Sequence, residues 1–232
     1  MKAVITGASQ GIGKAVADHF AAAGYDLFLC SRGEVSLYHT LEELQTKYPE
    51  RQLYARPTDM SQQSEVVAFA QWILSFGVPD VLVNNAGQFI QGQISTEAEG
   101  ALEQMMQVNL FSAYHLTRAL LPAMKEAGRG HIFNLCSIAS LRAYPHGGSY
   151  GISKYALAGF TANLREELKT NGIKVTGVFP GATMSPSWEG SGVHPDRIMQ
   201  ASDVASMMVA AASLSPAAVV EEIVLRPQLG DL

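Results

Sequence analysis

The sequence has little cysteine, little charge and no long apolar run. Its two cysteines, Cys30 and Cys136, are too few for a disulfide framework, and both fall late in predicted strands. They read as buried, reduced thiols of a cytosolic protein. Charged residues make up 16% of the 232-residue chain and hydrophobic residues 47%, which suits a sheet buried on both faces. The 16 basic and 21 acidic side chains leave a net charge of −5, which gives no general attraction to nucleic acid or to an anionic membrane. No apolar stretch reaches the roughly 20 residues that a membrane helix needs. Met1 and Lys2 lead straight into a strand, without the three regions of a signal peptide. There is no repeat, no low-complexity tract and no Pro/Gly-rich linker, so one domain over residues 1–232 is expected.

What the chain does have is alternation. Apolar, β-branched runs at 3–6, 25–30, 52–56, 81–83, 131–136, 174–179 and 219–226 read as strands. Between them lie helical patterns. The first carries Val16, Ala17 and Phe20 inward and ends at Gly24 as its C′ glycine. Others span residues 35–48, 61–76 with Ser61 as N-cap, and about 96–121. Pro122 should lie near the end of that helix or in a separate turn, because an interior proline costs about 3 kcal/mol. The last two helices read as 148–170 and 204–214, the latter capped by Ser202. Strand–helix alternation at these lengths means right-handed parallel crossovers and a doubly wound α/β sandwich. Ligands of such a fold bind beyond the carboxyl ends of the strands.

Each unusual motif falls at such an end. Gly7, Gly11 and Gly13 follow the first strand. Glycines there allow positive φ and close approach to a diphosphate, and the next helix offers unpaired N–H groups to the anion. Ser31 and Arg32 end the second strand, where a basic residue favours the 2′-phosphate of NADP and an acidic one would favour NAD. Arg32 can fork onto a phosphate and Ser31 can donate a hydroxyl. At the third strand end, Asp59 can accept from an adenine amino group while Met60 packs on the ring; alternatively Asp59 makes a turn before Ser61. Asn84, Asn85, Ala86 and Gly87 end the fourth strand and offer short polar groups or a plain turn. Ser137 closes the fifth strand. Tyr150 and Lys154 share one helical face, one turn apart. A phenol of pKa about 10 is a poor base at pH 7, and an ammonium about 4 Å away can lower it by up to about three units before desolvation is counted. Ser137 can orient a substrate oxygen. No metal is expected.

Together these residues resemble the short-chain dehydrogenase/reductase family. The match rests on Thr6-Gly7-Ala8-Ser9-Gln10-Gly11-Ile12-Gly13, Asn84-Asn85-Ala86-Gly87, Ser137, Tyr150 with Lys154, and Pro180-Gly181, in the family's order. The resemblance implies a Rossmann-type sandwich with a mostly parallel, seven-stranded sheet. It implies that Gly7, Ser9, Gln10, Gly11, Ile12 and Gly13 cradle the diphosphate, and that Asn85, Ala86 and Gly87 line the cofactor. Tyr150 would be the general acid in reduction and the base in oxidation. Ser137 would hold the substrate oxygen, and Lys154 would bind the nicotinamide ribose and lower the Tyr150 pKa. Asn109 would anchor a water in the proton relay. Pro180 and Gly181 would pass under the nicotinamide, with Thr183 or Ser185 reaching its carboxamide. A homodimer or homotetramer is implied through the two long helices.

The expected activity is an NADP-dependent carbonyl reductase acting on a small molecule. An NAD-dependent dehydrogenase and a non-catalytic dinucleotide-binding regulator are the alternatives. An epimerase is disfavoured by chain length and glycine spacing. Substrate contacts are expected from 139–148, from 88–93 and from 184–193 within the loop 182–200. Phe89, Tyr144 and Trp188 are the candidates for apolar walls, with Arg142 and His146 for a polar substrate.

Overall fold

The structure is a computed structural model, and it describes residues 1–185, 188 and 192–231. Seven strands form one sheet: β1 Lys2–Thr6, β2 Asp26–Ser31, β3 Leu53–Pro57, β4 Val81–Asn84, β5 Gly130–Leu135, β6 Ile173–Pro180 and β7 Glu222–Leu225. Their order is β3-β2-β1-β4-β5-β6-β7, and every pairing is parallel. The order reverses between β1 and β4. The crevice above that point is where a doubly wound sheet receives a ligand.

Helices cover both faces. On one side, α1 (Gly11–Ala22), α2 (Glu34–Lys47) and α7 (Ala201–Ala212) bury Phe20, Leu37, Leu44, Val204 and Met208 against the sheet. On the other, α3 (Gln63–Leu74), α5 (Ser112–Ala127) and α6 (Gly148–Leu168) bury Phe69, Ile73, Leu116, Leu120, Met124 and Leu164. A short α4 (Ala101–Met106) precedes α5. Each of these large side chains, fully buried, contributes roughly 1.5–3 kcal/mol.

Several boundaries differ from the sequence reading. The middle helix begins at Ala101, not near residue 96, and it runs past Pro122 to Ala127. Pro122 and Arg118 are both exposed, so the hydrogen bond that the proline cannot donate is missing on the solvent side of the helix. Between α4 and α5 the chain makes a π-helical turn, Gln107–Phe111, which a regular helical pattern did not foretell. Ser61 does not cap α3: its hydroxyl and its N–H both bond Asp59 Oδ1, and Gln62 is the N-cap. Ser202 does not cap α7 either. Gln200 holds that place, and its N–H donates to Asp203 Oδ2 at 2.9 Å. The last strand is shorter than the run 219–226 suggested, because only Glu222–Leu225 reach β6.

Candidate active site

The carboxyl edge of the sheet gathers the motif residues. At the end of β1, Gly7 has φ 65° and turns the chain toward α1. Gly13, on the first turn of α1, lies so close to the Gly7 carbonyl and the Asn85 amide that a Cβ there would overlap both. The first-turn N–H groups of Gly11, Ile12 and Gly13 point out of the helix end, as any helix N-terminus leaves them. Gln10 is the N-cap of α1 and its side chain makes no capping bond.

A web of bonds fixes this cradle to β4. Asn85 Nδ2 donates to the carbonyls of Thr6 at 2.8 Å and Gly7 at 3.1 Å. Thr6 Oγ1 accepts from the N–H groups of Asn85 and Ala86 at 3.0 and 2.9 Å. The Asn85 amide is thus committed to holding the loop. Deeper, Asn84 Nδ2 donates to Thr117 Oγ1 and Asn134 Oδ1, and Asn134 passes the chain on to Thr161. That buried polar network ties β4, β5, α5 and α6 together.

At the second strand end, Ser31 is buried and its hydroxyl bonds the Gly33 carbonyl at 3.3 Å. Arg32 is exposed, and its guanidinium has no hydrogen-bond or ion-pair partner among the described residues. Asp59 sits at the third strand end, but its Oδ1 makes the turn to Ser61. Met60 packs inward, with Sδ 3.7 Å from Cys30 Sγ. The turn reading of Asp59 is therefore the one its bonds display, and the Met60 sulfur belongs to the core.

Ser137 follows β5 and caps a short 3-10 turn, its Oγ accepting from the Ala139 N–H at 3.1 Å. The Tyr150 phenol lies near enough to the Ser137 side chain for that hydroxyl to act on its pKa. Burial pushes the Tyr150 pKa up. The nearby Ser137 hydroxyl pulls it down by less, and the neighbouring Cys136 pushes it further up. Lys154 is buried, and its Nζ donates to the Leu135 carbonyl at 2.7 Å. It lies 5.8 Å from the Tyr150 ring centroid. Burial brings its pKa down to about 8. Burial is the largest influence on the Tyr150 pKa, and the Lys154 ammonium is engaged by the Leu135 carbonyl. A phenol held protonated beside a serine hydroxyl can donate a proton.

Asn109 comes from the π-helical turn and is buried. Its Oδ1 accepts from the Gln88 N–H at 2.7 Å, and its Nδ2 donates to the Gln88 carbonyl and to Ser153 Oγ at 3.0 and 2.8 Å. A Cβ on Gly87 would stand 3.2 Å from Asn109 Oδ1 and 3.6 Å from Lys154 Nζ. Gly87, Asn109 and Lys154 thus share one small space.

Pro180 and Gly181 end β6. The Thr183 hydroxyl donates back to the Gly181 carbonyl at 2.9 Å, and Thr183 is buried. Ser185 is half-buried, and its carbonyl accepts from the Trp188 N–H at 3.0 Å. The rest of the expected substrate loop, residues 186–187 and 189–191, lies outside the described residues. Phe89 stands edge-on to Tyr150, with centroids 4.8 Å apart and planes at 84°. Tyr144 is close enough that the Tyr150 phenol, after burial, helps push its pKa up to about 12. Arg142 is not free for a substrate: with Arg226 it pairs with Asp231 Oδ2.

Two features had no motif to announce them. The tail around Asp231 reaches this edge, and Arg197 donates to the carbonyls of Gly230 and Asp231. Glu97 accepts from both the N–H and the hydroxyl of Ser149, at the start of α6. One signal pointed to the latter. Gly147 and Gly148 open the helix without a capping side chain, so an acceptor had to come from elsewhere.

Comparison with known proteins places the chain's fold and family. The short chain dehydrogenase family profile matches residues 1–193. An uncharacterized oxidoreductase of Staphylococcus epidermidis is 30% identical over 226 residues, covering 97% of this chain and 96% of its own. A sepiapterin reductase of Chlorobaculum tepidum is 32% identical over 241 residues, covering 99% and 97%. An alcohol dehydrogenase from Thermococcus sibiricus, solved with 5-hydroxy-NADP, superposes with a TM-score of 0.91 at 28% identity, covering 100% of this chain and 98% of that one.

Proposed function

Because the chain belongs to the short-chain dehydrogenase/reductase family, we propose that it reduces a ketone or aldehyde to an alcohol with NADP(H), using Tyr150 as the proton donor. The observation that carries this reading is the gathering of Tyr150, Ser137 and Lys154 at the carboxyl edge of the sheet, with the Lys154 Nζ 5.8 Å from the Tyr150 ring centroid and a phenol whose pKa is raised, not lowered. An acid is what carbonyl reduction needs at neutral pH; a base for the reverse direction would need a lowered pKa.

The residues present fit a dinucleotide. Gly13 has no room for a Cβ because α1 packs close on the Gly7 turn, and the uncapped N–H groups of its first turn are there to meet a diphosphate. Arg32 is an exposed cation at the strand end where the 2′-phosphate of NADP belongs. The Thermococcus enzyme's complex supports the same choice of cofactor. When bound, the cofactor supplies the hydride. Tyr150 gives its phenolic proton to the substrate oxygen, and Ser137 orients that oxygen. Lys154, anchored on Leu135, supplies a cation to the cofactor's ribose side. Asn109 keeps Gln88 and Ser153 in register, and the second lone pair of its Oδ1 offers a place for a relay water.

In this reading the whole chain acts as one cytosolic domain. It assembles as a dimer or tetramer through α5 and α6, where Tyr114, Ile152 and Tyr155 are exposed. No helix among the described residues is long and apolar enough to cross a membrane. The test is a fluorescence titration with NADPH and NADH at fixed salt, followed by a panel of ketones and aldehydes. Tight NADPH binding with turnover is expected. Preference for NADH would favour the NAD-dependent alternative. NADPH binding without turnover on any carbonyl would favour a regulatory protein.

A further inference from the structure

The helix that carries Tyr150 begins badly. Gly147 and Gly148 supply no side chain to its first turn, and Gly148 sits at φ 34°, a region L-residues rarely adopt. Yet the residue that follows, Ser149, is buried, and Tyr150 comes next. Something must hold this start in place.

That role falls to Glu97, 52 residues earlier, on the loop between β4 and α4. Its Oε1 accepts from the Ser149 N–H at 2.9 Å, and its Oε2 accepts from the Ser149 hydroxyl. The carboxylate therefore grips both groups of one residue, and it lies at the positive end of α6. Its seat is shaped for it. A Cβ on Gly148 would overlap Glu97 Oε1, and a Cβ on Gly92 would come within 2.5 Å of Glu97 Cγ. A loop glycine and the first glycine of α6 thus clear the space for one side chain.

The same loop touches Tyr150 from a second direction. Phe89 meets the Tyr150 ring edge-on. The loop itself is fastened along its length. Asn109 bonds both backbone groups of Gln88, the Gly92 N–H donates to the His146 carbonyl at 3.2 Å, and Glu97 bonds Ser149. Removing the last of these leaves the first turn of α6 without its cap and loosens the hold on Tyr150.

We infer that Glu97 is a positioning residue for Tyr150: its carboxylate, by capping Ser149, holds the first turn of α6 and so aims the phenol toward Ser137. This rests on the reading of Tyr150 as proton donor. A charge-assisted bond to a backbone N–H is stronger than a neutral one, and small displacements of a reacting group lower rates steeply.

The test compares Glu97→Ala, Glu97→Gln and Ser149→Ala with the wild type, using NADPH and the best carbonyl from the panel. Glu97→Ala is expected to lower kcat about tenfold or more, with the Kd for NADPH and the KM for the carbonyl each within about threefold of wild type. Glu97→Gln keeps an acceptor for the Ser149 N–H and should recover most of the loss. Ser149→Ala removes only the hydroxyl half and should lower kcat by a smaller factor. It decides the matter should Glu97→Ala not fold. Hydrogen exchange of the 149–151 amides should quicken in Glu97→Ala and return in Glu97→Gln. A Glu97→Ala variant that melts earlier but keeps wild-type kcat makes the residue merely structural and overturns the inference. So does a Gln variant no better than Ala, or a Ser149→Ala variant with unchanged kcat. A wild type inactive on every carbonyl overturns the functional reading and this inference together. An active wild type unaffected by Glu97→Ala overturns this inference alone.

Discussion

Lys154 donates its ammonium to the carbonyl of Leu135 at 2.7 Å, at the end of β5 and directly under the ring of Tyr150. The bond fixes the cation in a buried place, and burial is what brings its pKa down to about 8. A folded-state pKa below the ordinary lysine value means that the charge is lost as pH rises through about 8. If that cation helps hold an anionic dinucleotide, affinity falls over the same window. The Kd for NADPH should be flat from pH 7 to 7.5 and rise above pH 8, by at most about tenfold per pH unit for one proton. Lys154→Met should bind more weakly and show no such rise. Titrations at constant ionic strength check this, and a wild-type Kd unchanged up to pH 9.5 would contradict it.

Arg32 decides between cofactors. Its exposed guanidinium has no partner among the described residues, so it loses nothing by meeting a phosphate. A hydrogen bond to a charged group contributes about 1.5–3 kcal/mol. Arg32→Ala should therefore weaken NADPH binding about tenfold to a hundredfold and leave NADH within about twofold. Equal loss for both cofactors would mean that Arg32 does not meet the 2′-phosphate.

Two glycines separate packing from propensity. A Cβ on Gly13 would overlap the Gly7 carbonyl and the Asn85 amide, whereas one on Gly159, within α6, would meet nothing within 4 Å. Gly13→Ala should lower Tm and weaken NADPH binding at least tenfold. Gly159→Ala should leave binding alone and stabilise by about 0.5–1 kcal/mol. Thermal melts and cofactor titrations of the two variants make the comparison. Similar behaviour would show that the β1–α1 loop relaxes freely.

His131 should make the fold acid-sensitive. It is buried, stacked on Phe133 at 3.9 Å, and its Nε2 meets Thr176 Oγ1 at 2.7 Å. Its Nδ1 has no partner, and burial pushes its pKa down to about 3. The unfolded chain takes up a proton near pH 6.5 that the folded chain refuses until about pH 3, so stability falls as pH drops through that window. Between pH 6 and 4 this one residue should cost about 2–3 kcal/mol. Urea unfolding of His131→Gln at both pH values should show a correspondingly smaller loss.

The sequence disclosed the strand ends better than it disclosed what the side chains do there. The alternation of apolar runs located all the strands, because parallel strands buried on both faces read as continuous hydrophobic runs. Tyr150 and Lys154 share one face of α6, as a spacing of four residues implies, and Ser137 follows the end of β5. Helix starts were less legible. Ser61 and Ser202 look like caps, but Asp59 claims the first and Gln200 displaces the second. The π-helical turn that aims Asn109 leaves no mark in a hydrophobic pattern. Charge effects were the least legible. The sign of the Tyr150 shift depends on burial and on where the Lys154 ammonium points, and neither can be read from residues spaced four apart. Glu97 and Asp231 act across 52 and 89 residues, on Ser149 and Arg142, and no local motif reports such contacts.

The central claim is that Tyr150 is the proton donor of a carbonyl reduction. Its most direct test is the steady-state rate of NADPH oxidation with a responsive ketone or aldehyde, measured for the wild type and Tyr150→Phe at saturating cofactor. Removing a positioned general acid costs about 10²–10⁴ in rate. The variant should lose kcat by that factor while its Kd for NADPH stays within about twofold of wild type. A Tyr150→Phe enzyme that keeps its kcat would contradict the account.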